Sequence, residues 1–271
     1  MIKFENTEVL GWEHAIRGMR NPMNSWERID STVCPGHNCD TCDLWRLDRS
    51  VCSGNHIEGE LVVGPNDHDL MMRLAKGGPV HAKYRRMITV YVDITAPLYW
   101  WKEFDTYKVG TVANSCSTMH KIAAKEFTLE DFSCEHLISN DKTIWSGEIG
   151  NSMECLDIVI STLNYYREYY LSMNEQKVPG ANERAKELWW QMIQLLPSSY
   201  NQKRTVMLNY EVLANIYKSR RNHKLDEWAE TKLTGDCPAD MYPNKFINGF
   251  CDWIKTLPYS ELITGEENTH A

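Results

Sequence analysis

The sequence predicts an α+β fold, rich in helix and carrying a small sheet. Three observations point there. The run 87–95 is β-branched and apolar with a strand's alternation, the second half holds several long segments of helical periodicity, and no internal repeat is present. A hydrophobic content of 42% over 271 residues is enough for a substantial core, expected within one domain spanning 1–271.

Each element follows from local chemistry. Glu8-Val9-Leu10-Gly11-Trp12-Glu13-His14-Ala15-Ile16-Arg17 reads as a short helix that ends before Asn21-Pro22. Residues 31–56, rich in Cys, Gly, Asp and Asn and without periodicity, read as an inserted cysteine-rich loop. Asn66-Asp67 offers a helix N-cap, Leu70, Met71, Leu74 and Ala75 form the apolar face behind it, and Gly77-Gly78 ends that helix. In 87–95, Thr89, Tyr91 and Asp93 alternate against Ile88, Val90, Val92 and Ile94, which makes this the strongest strand. Ala96-Pro97 then starts a helix, because proline suits a first turn and Trp100, Trp101, Phe104 and Tyr107 cover one broad side. Further helices are expected over 151–174, 183–195, 205–220 and 245–256. Pro179-Gly180, Pro197-Ser198-Ser199 and the stretch 235–243 separate them.

Composition narrows the function classes. A formal net charge of −8 removes any global electrostatic reason to bind nucleic acid or an anionic membrane surface. Met1 leads into Ile-Lys-Phe-Glu-Asn, which has neither the charged start nor the apolar run of a signal peptide, and no stretch reaches the roughly 18 apolar residues of a membrane span. A cytoplasmic location is the expectation. Nine cysteines, an odd number, argue for reduced thiols or metal ligands over a disulfide framework. Ten tryptophans and thirteen tyrosines suit a packed, ligand-rich or oligomeric surface.

Three constellations carry chemistry. Cys34-x4-Cys39-x2-Cys42-x9-Cys52, with His37 and His56 close by, has the short spacings that let thiolates reach one tetrahedral zinc. A surface loop of free cysteines is the other reading of the same residues and the one their irregular spacing favours, and four thiolates would make a closed, structural site. After the Ala96-Pro97 helix come Lys108, Gly110, Thr111, Asn114, Ser115, Ser117, Thr118 and His120, a polar loop whose hydroxyls, amides and lysine suit a phosphate. Finally, Asn209, Leu213, Ile216 and Arg220 recur at helical spacing and His223 and Glu227 follow, so a helix stripe mixes apolar residues with donors that need partners if buried. That stripe reads either as a surface helix or as the wall of a polar site.

Several of these segments, in order, resemble the flavin-dependent thymidylate synthase family. Leu196-Pro197, Tyr200, Asn209, Leu213, Asn215 and Arg220 match the family's leucine-proline and Asn-rich helix in register, and His223 and Glu227 match its His-Ala-Gln-x-Glu segment once one residue is removed. Upstream, Gly78-Pro79-Val80-His81 resembles Ser-Pro-Phe-Glu-His with one residue fewer, followed by a similar strand and a similar Ala-Pro helix. Where the family carries Arg-His-Arg-x7-Ser, this chain has Thr106-Tyr107-Lys108 and reaches Ser117 one residue late. Glu211 stands in place of an arginine and Leu225 in place of the glutamine.

The resemblance implies a helix-rich fold with a small antiparallel sheet and the reductive methylation of deoxyuridylate. It implies methylenetetrahydrofolate as carbon donor, FAD as hydride source and NADPH as the flavin's reductant, although Thr106-Tyr107-Lys108 removes two cationic side chains expected near flavin and phosphate. Arg220 would bind the pyrimidine edge of a deoxypyrimidine nucleotide as the catalytic and substrate-binding residue. His81, Lys108, Asn209, Asn215 and His223 would line the cofactor, with Asn114 and Ser117 on the substrate. A homotetramer with sites between subunits is implied as well. The alternatives are a pyrimidine-nucleotide-binding homo-oligomer without flavin chemistry, a related deoxypyrimidine-modifying enzyme, or a zinc-bearing interaction protein built on residues 31–56.

Overall fold

A four-stranded antiparallel sheet carries the fold, and helices cover one of its faces. The computed structural model describes residues 2–34, 36, 59, 61–138, 150–176, 179–231 and 249–266. Strand β1 (Lys3–Leu10) leads through helix α1 (Trp12–Arg20) to a two-residue pair, β2 (Thr32–Val33) and β3 (Leu61–Val62). Then come α2 (Pro65–Lys76), β4 (Thr89–Pro97), α3 (Leu98–Phe104), β5 (Val112–Ser115) and α4 (Thr118–Lys121). The remainder is α5 (Ser152–Glu175), α6 (Ala181–Leu195), β6 (Asn201–Asn209), α7 (Tyr210–Arg220), α8 (Phe250–Lys255) and α9 (Glu261–Thr264). The sheet order is β1-β4-β6-β5.

The centre is the β4–β6 pair, registered from Thr89 opposite Asn209 to Pro97 opposite Asn201. Ile88, Val90, Val92, Ile94, Ala96, Val206 and Leu208 all turn inward and are buried, as strict alternation requires. Against them pack Trp100, Trp101, Phe104, Leu213, Ile216, Trp228 and Phe250. Trp100 stacks on Trp228 at 4.4 Å between centroids. The other sheet face is polar, with Asp93 accepting from Thr205 and Asn6 at 2.6 and 2.9 Å. A smaller apolar cluster, including Phe127, Phe132, Leu163 and Met192, sits under the α5–α6 hairpin.

The structure moves five sequence-predicted boundaries. Glu8 to Leu10 belong to β1, because pairing with β4 takes them, and the left-handed Gly11 (φ 92°) turns the chain into α1. Ala96 and Pro97 end β4, so α3 begins at Leu98. Helix α2 starts at Pro65 after Gly64, and Asp67 is a buried ion-pair partner instead of a cap. The expected helix 205–220 divides at Asn209: its first part is a central strand, paired on both sides, and only 210–220 is helical. The expected 245–256 helix is observed as Phe250–Lys255, and 245–248 and 235–243 lie outside the described residues. Thr32–Val33 pairs with Leu61–Val62 at the base of the cysteine-rich segment. Among the described residues no helix is long and apolar enough to cross a membrane.

Candidate functional site

Arg220 closes α7, and its guanidinium is where the site converges. Its Nε donates to the Tyr107 hydroxyl at 2.8 Å, and Nη1 lies 3.0 Å from Glu103 Oε2. The guanidinium carbon sits 5.2 Å from the Trp228 ring and 5.7 Å from that of Tyr107, within the range of cation–π attraction. His223 Nε2 lies 2.8 Å from Arg220 Nη1 and accepts from it, because a guanidinium only donates, while Nδ1 lies 3.2 Å from the Leu225 N–H. That Nε2 is also 3.6 Å from Glu103 Oε2, so the imidazole and the guanidinium both stand beside one carboxylate.

Two strand–helix units build this arrangement. β4 and β6 are antiparallel, so α3 and α7 leave from opposite ends of the pair and fold back over the same buried face. Glu103 lies in the last turn of α3 and Tyr107 in the turn just beyond it, where its N–H bonds the Phe104 carbonyl at 2.9 Å. Gly110 (φ 81°) lets the following loop pass α7 closely, since a Cβ there would lie 3.0 Å from Val212 Cγ2. Beneath the site the buried Glu227 carboxylate accepts from the Tyr99 hydroxyl. Burial, and then Glu227 itself, push the Tyr99 phenol well above its ordinary range.

The sequence-predicted residues divide between several places. Arg220 and His223 stand together, with Lys108 exposed beside Tyr107. Asn209 caps α7, accepting from Glu211 and Val212 N–H, each at 3.1 Å, and so is not part of the helical stripe. Asn215 is exposed, away from the buried Leu213 and Ile216 side of α7. Asn114 is exposed on β5 opposite Thr205, and Ser117 caps the short α4 by accepting from His120 N–H at 2.9 Å. Glu211 is buried 3.8 Å from the buried Arg85, so this chain supplies an internal cation opposite its carboxylate. Burial pushes the neighbouring Tyr84 phenol up to about 12.

His81 stands elsewhere, exposed at the rim of a cavity of about 1200 Å³ between α1, α2 and the turn Ala82–Arg86. Four basic side chains, Arg20, Arg28, Arg73 and Lys83, and three carboxylates, Glu27, Asp30 and Asp69, line it together with apolar residues such as Leu70 and Val80. Of the cysteine ligand set, Cys34 is a partly buried free thiol, and Cys39, Cys42 and Cys52 lie outside the described residues. Among the described residues no group of three or more His, Cys, Asp or Glu could hold a metal, so zinc finds no support there.

Sequence reasoning missed Glu103 and Trp228 as partners of Arg220 and placed Tyr107 on a helix face and in the register of the family's Arg-His-Arg, without pairing it with Arg220. Their signal is weak in isolation: Glu103 is one charge at a helix end, and its meaning depends on which strand pairs with β4.

The fold and site together define a helix-rich α+β protein with an arginine-centred polar site beside an aromatic core. No family model matches the chain, and no curated protein sequence matches it. Among solved structures, the fold is similar to that of the flavin-dependent thymidylate synthase ThyX from Helicobacter pylori complexed with FAD and dUMP. The TM-score is 0.53 at 14% identity, covering 97% of this chain and 98% of that one. A second Helicobacter pylori ThyX structure with FAD and dUMP gives 0.53 at 13% identity over 98% of each chain. At such identity the likeness is one of fold.

Proposed function

We propose that this chain is a divergent relative of the flavin-dependent thymidylate synthases, binding a deoxypyrimidine nucleotide at Arg220 and acting in the reductive methylation of dUMP. The observation that carries the reading is the Arg220 cluster itself. A mostly buried guanidinium, held by Tyr107, Glu103 and Trp228, presents fixed donors at the end of the helix where the family resemblance expects them. Likeness of fold over nearly the whole chain to two structures of one dUMP-bound enzyme supports it.

A flavin fits the cavity at His81 in size. Ligand cavities commonly run to about 1,000 Å³, and Lys83, Arg28 and His81 offer cationic or donor groups for phosphates while Leu70 and Val80 suit a ring. Bound there, the flavin would supply the hydride to a base held at the Arg220 cluster of a neighbouring subunit, since the cavity and that cluster share no described residue within one chain. The same reading brings methylenetetrahydrofolate as carbon donor, NADPH as reductant and a homotetramer.

A second reading is a nucleotide-binding homo-oligomer without flavin chemistry. It is favoured by Tyr107, whose hydroxyl is engaged by Arg220, and by Asn209, whose side-chain oxygen is engaged in capping. Growth of a thymidine auxotroph carrying the chain separates the two: rescue supports the synthase, and soluble protein without rescue removes it. In vitro, dUMP should raise the melting temperature of the wild type and leave Arg220→Ala unmoved. A yellow protein that releases flavin on denaturation supports the first reading over the second.

A further inference from the structure

We infer that Glu103 is a specificity-determining residue, forming with Arg220 a two-point reader for a neutral pyrimidine edge that sets a hydrogen-bond donor beside an acceptor. The inference rests on the nucleotide reading of the site and adds what part of the nucleotide enters it. Arg220 Nε is taken by Tyr107, and Nη1 faces Glu103 Oε2 and His223. Glu103 Oε2 is itself buried and, although it forms an ion pair with Nη1 at 3.0 Å, makes no hydrogen bond among the described residues. What remains for a ligand is the Nη2 amino group of Arg220 and the second carboxylate oxygen of its ion-pair partner, Glu103 Oε1. Neither has a hydrogen-bond partner among the described residues, and the two side chains are 20% and 35% exposed.

Charge decides the ligand class. A guanidinium alone would attract phosphate or carboxylate, but the Glu103 carboxylate 3.0 Å away offsets its charge and would repel any anion brought to the same place. A neutral edge suffers no such repulsion, provided it can give a proton donor to the carboxylate and an acceptor to the amino group. Uracil does so with N3–H and O4, cytosine with its 4-amino group and N3. The phosphate of the nucleotide therefore lies away from the Arg220–Glu103 pair.

The test is calorimetric binding to the full-length protein, using dUMP, 3-methyl-dUMP, dCMP and N4,N4-dimethyl-dCMP, with inorganic phosphate as competitor. The wild type should bind the unmethylated member of one pair at least about tenfold more tightly than its methylated partner, since methylation leaves the carboxylate without its donor. The preferred pair tells uracil from cytosine. Inorganic phosphate should not displace the nucleotide from the base pocket. Glu103→Ala should remove the discrimination and Glu103→Gln, which keeps an acceptor oxygen, should retain it. Equal binding of methylated and unmethylated nucleotides by the wild type, or an unchanged ratio in a folded Glu103→Ala, overturns the inference and leaves nucleotide binding standing. Failure of every nucleotide to bind the wild type overturns the functional reading along with it.

Discussion

Removing the Asp67 carboxylate should destabilise the protein more than any surface change, because that group is buried and holds together three separate segments. Oδ1 takes both Arg20 Nε and Nη2 at 2.7 Å, and Oδ2 accepts from Ser31 N–H, the Ser31 hydroxyl and Asp30 N–H at 3.0, 2.7 and 3.1 Å. The Asp67 side chain is 0% exposed and that of Arg20 5%. Asp67→Ala therefore leaves a buried guanidinium without a counter-charge, a loss of about 3–5 kcal/mol when one partner of such a pair is deleted. For a chain of this size that corresponds to a fall in melting temperature of roughly 10 °C. Arg20→Met combined with Asp67→Leu should recover most of the loss, because no charge then stays buried unpaired. Burial would raise the Asp67 carboxyl pKa, but Ser31 and Arg20, followed by the backbone donors of Ser31 and Asp30, bring it below its ordinary 3.8. With the folded value depressed, the contribution is complete above the unfolded carboxyl's pKa of about 3.9 and is lost as pH falls through the folded value. Thermal and urea denaturation between pH 3 and 7 measure this. A melting temperature within about 2 °C of wild type at pH 7, below the expected several kcal/mol, would refute the reasoning, as would a double variant no more stable than Asp67→Ala.

Asn209→Ala should lower stability by about 1 kcal/mol through loss of the α7 cap, read by urea denaturation, with Asn209→Asp close to wild type. Gly110→Ala should be worse than Gly180→Ala in the same assay. Both glycines are left-handed, at φ 81° and 84°, but only Gly110 also meets Val212 Cγ2 at 3.0 Å. Burial pushes the Cys251 thiol up to about 12, so iodoacetamide at pH 8 should leave Cys251 unmodified in the native protein while the exposed Cys116 and Cys155 react, as peptide mass spectrometry would show.

The elements that were legible from residues alone are those whose local preference agrees with their packing. The alternation of β4 and the Gly77 end of α2 needed no partner to be read, and α5 and α6 fall within two residues of expectation. β1 and β6 were not legible, for one physical reason. Lys3–Leu10 exposes most of its side chains at the sheet edge, so no apolar alternation marks it, and Asn201–Asn209 carries Gln202, Lys203 and Arg204 in a central position where pairing on both sides overrides propensity. Within the site, Arg220 and His223 are three residues apart on one chain segment and could be associated from spacing. Asn215 does not join them, because five residues on a helix place it on another side from Arg220.

The remaining partners of Arg220 depend on topology in a way spacing cannot encode. Glu103 and Tyr107 stand more than a hundred positions upstream, and they meet Arg220 because β4 and β6 pair antiparallel along their full lengths, from Thr89–Asn209 at one end to Pro97–Asn201 at the other. With α3 leaving one end and α7 the other, their C-terminal turns are carried toward each other across the sheet, and the Trp100–Trp228 stack fills the space beneath. A one-residue slip in that pairing would turn Val90 and Val92 out of the core, so the register that buries the core also brings Glu103 to the guanidinium. The acceptor beside Arg220 is thus a product of the same hydrophobic alternation that makes β4 the clearest element in the chain. Variants at Val90 or Val206 that loosen the pair should weaken nucleotide binding in step with stability, whereas a folded Glu103→Ala should lose the discrimination between methylated and unmethylated nucleotides.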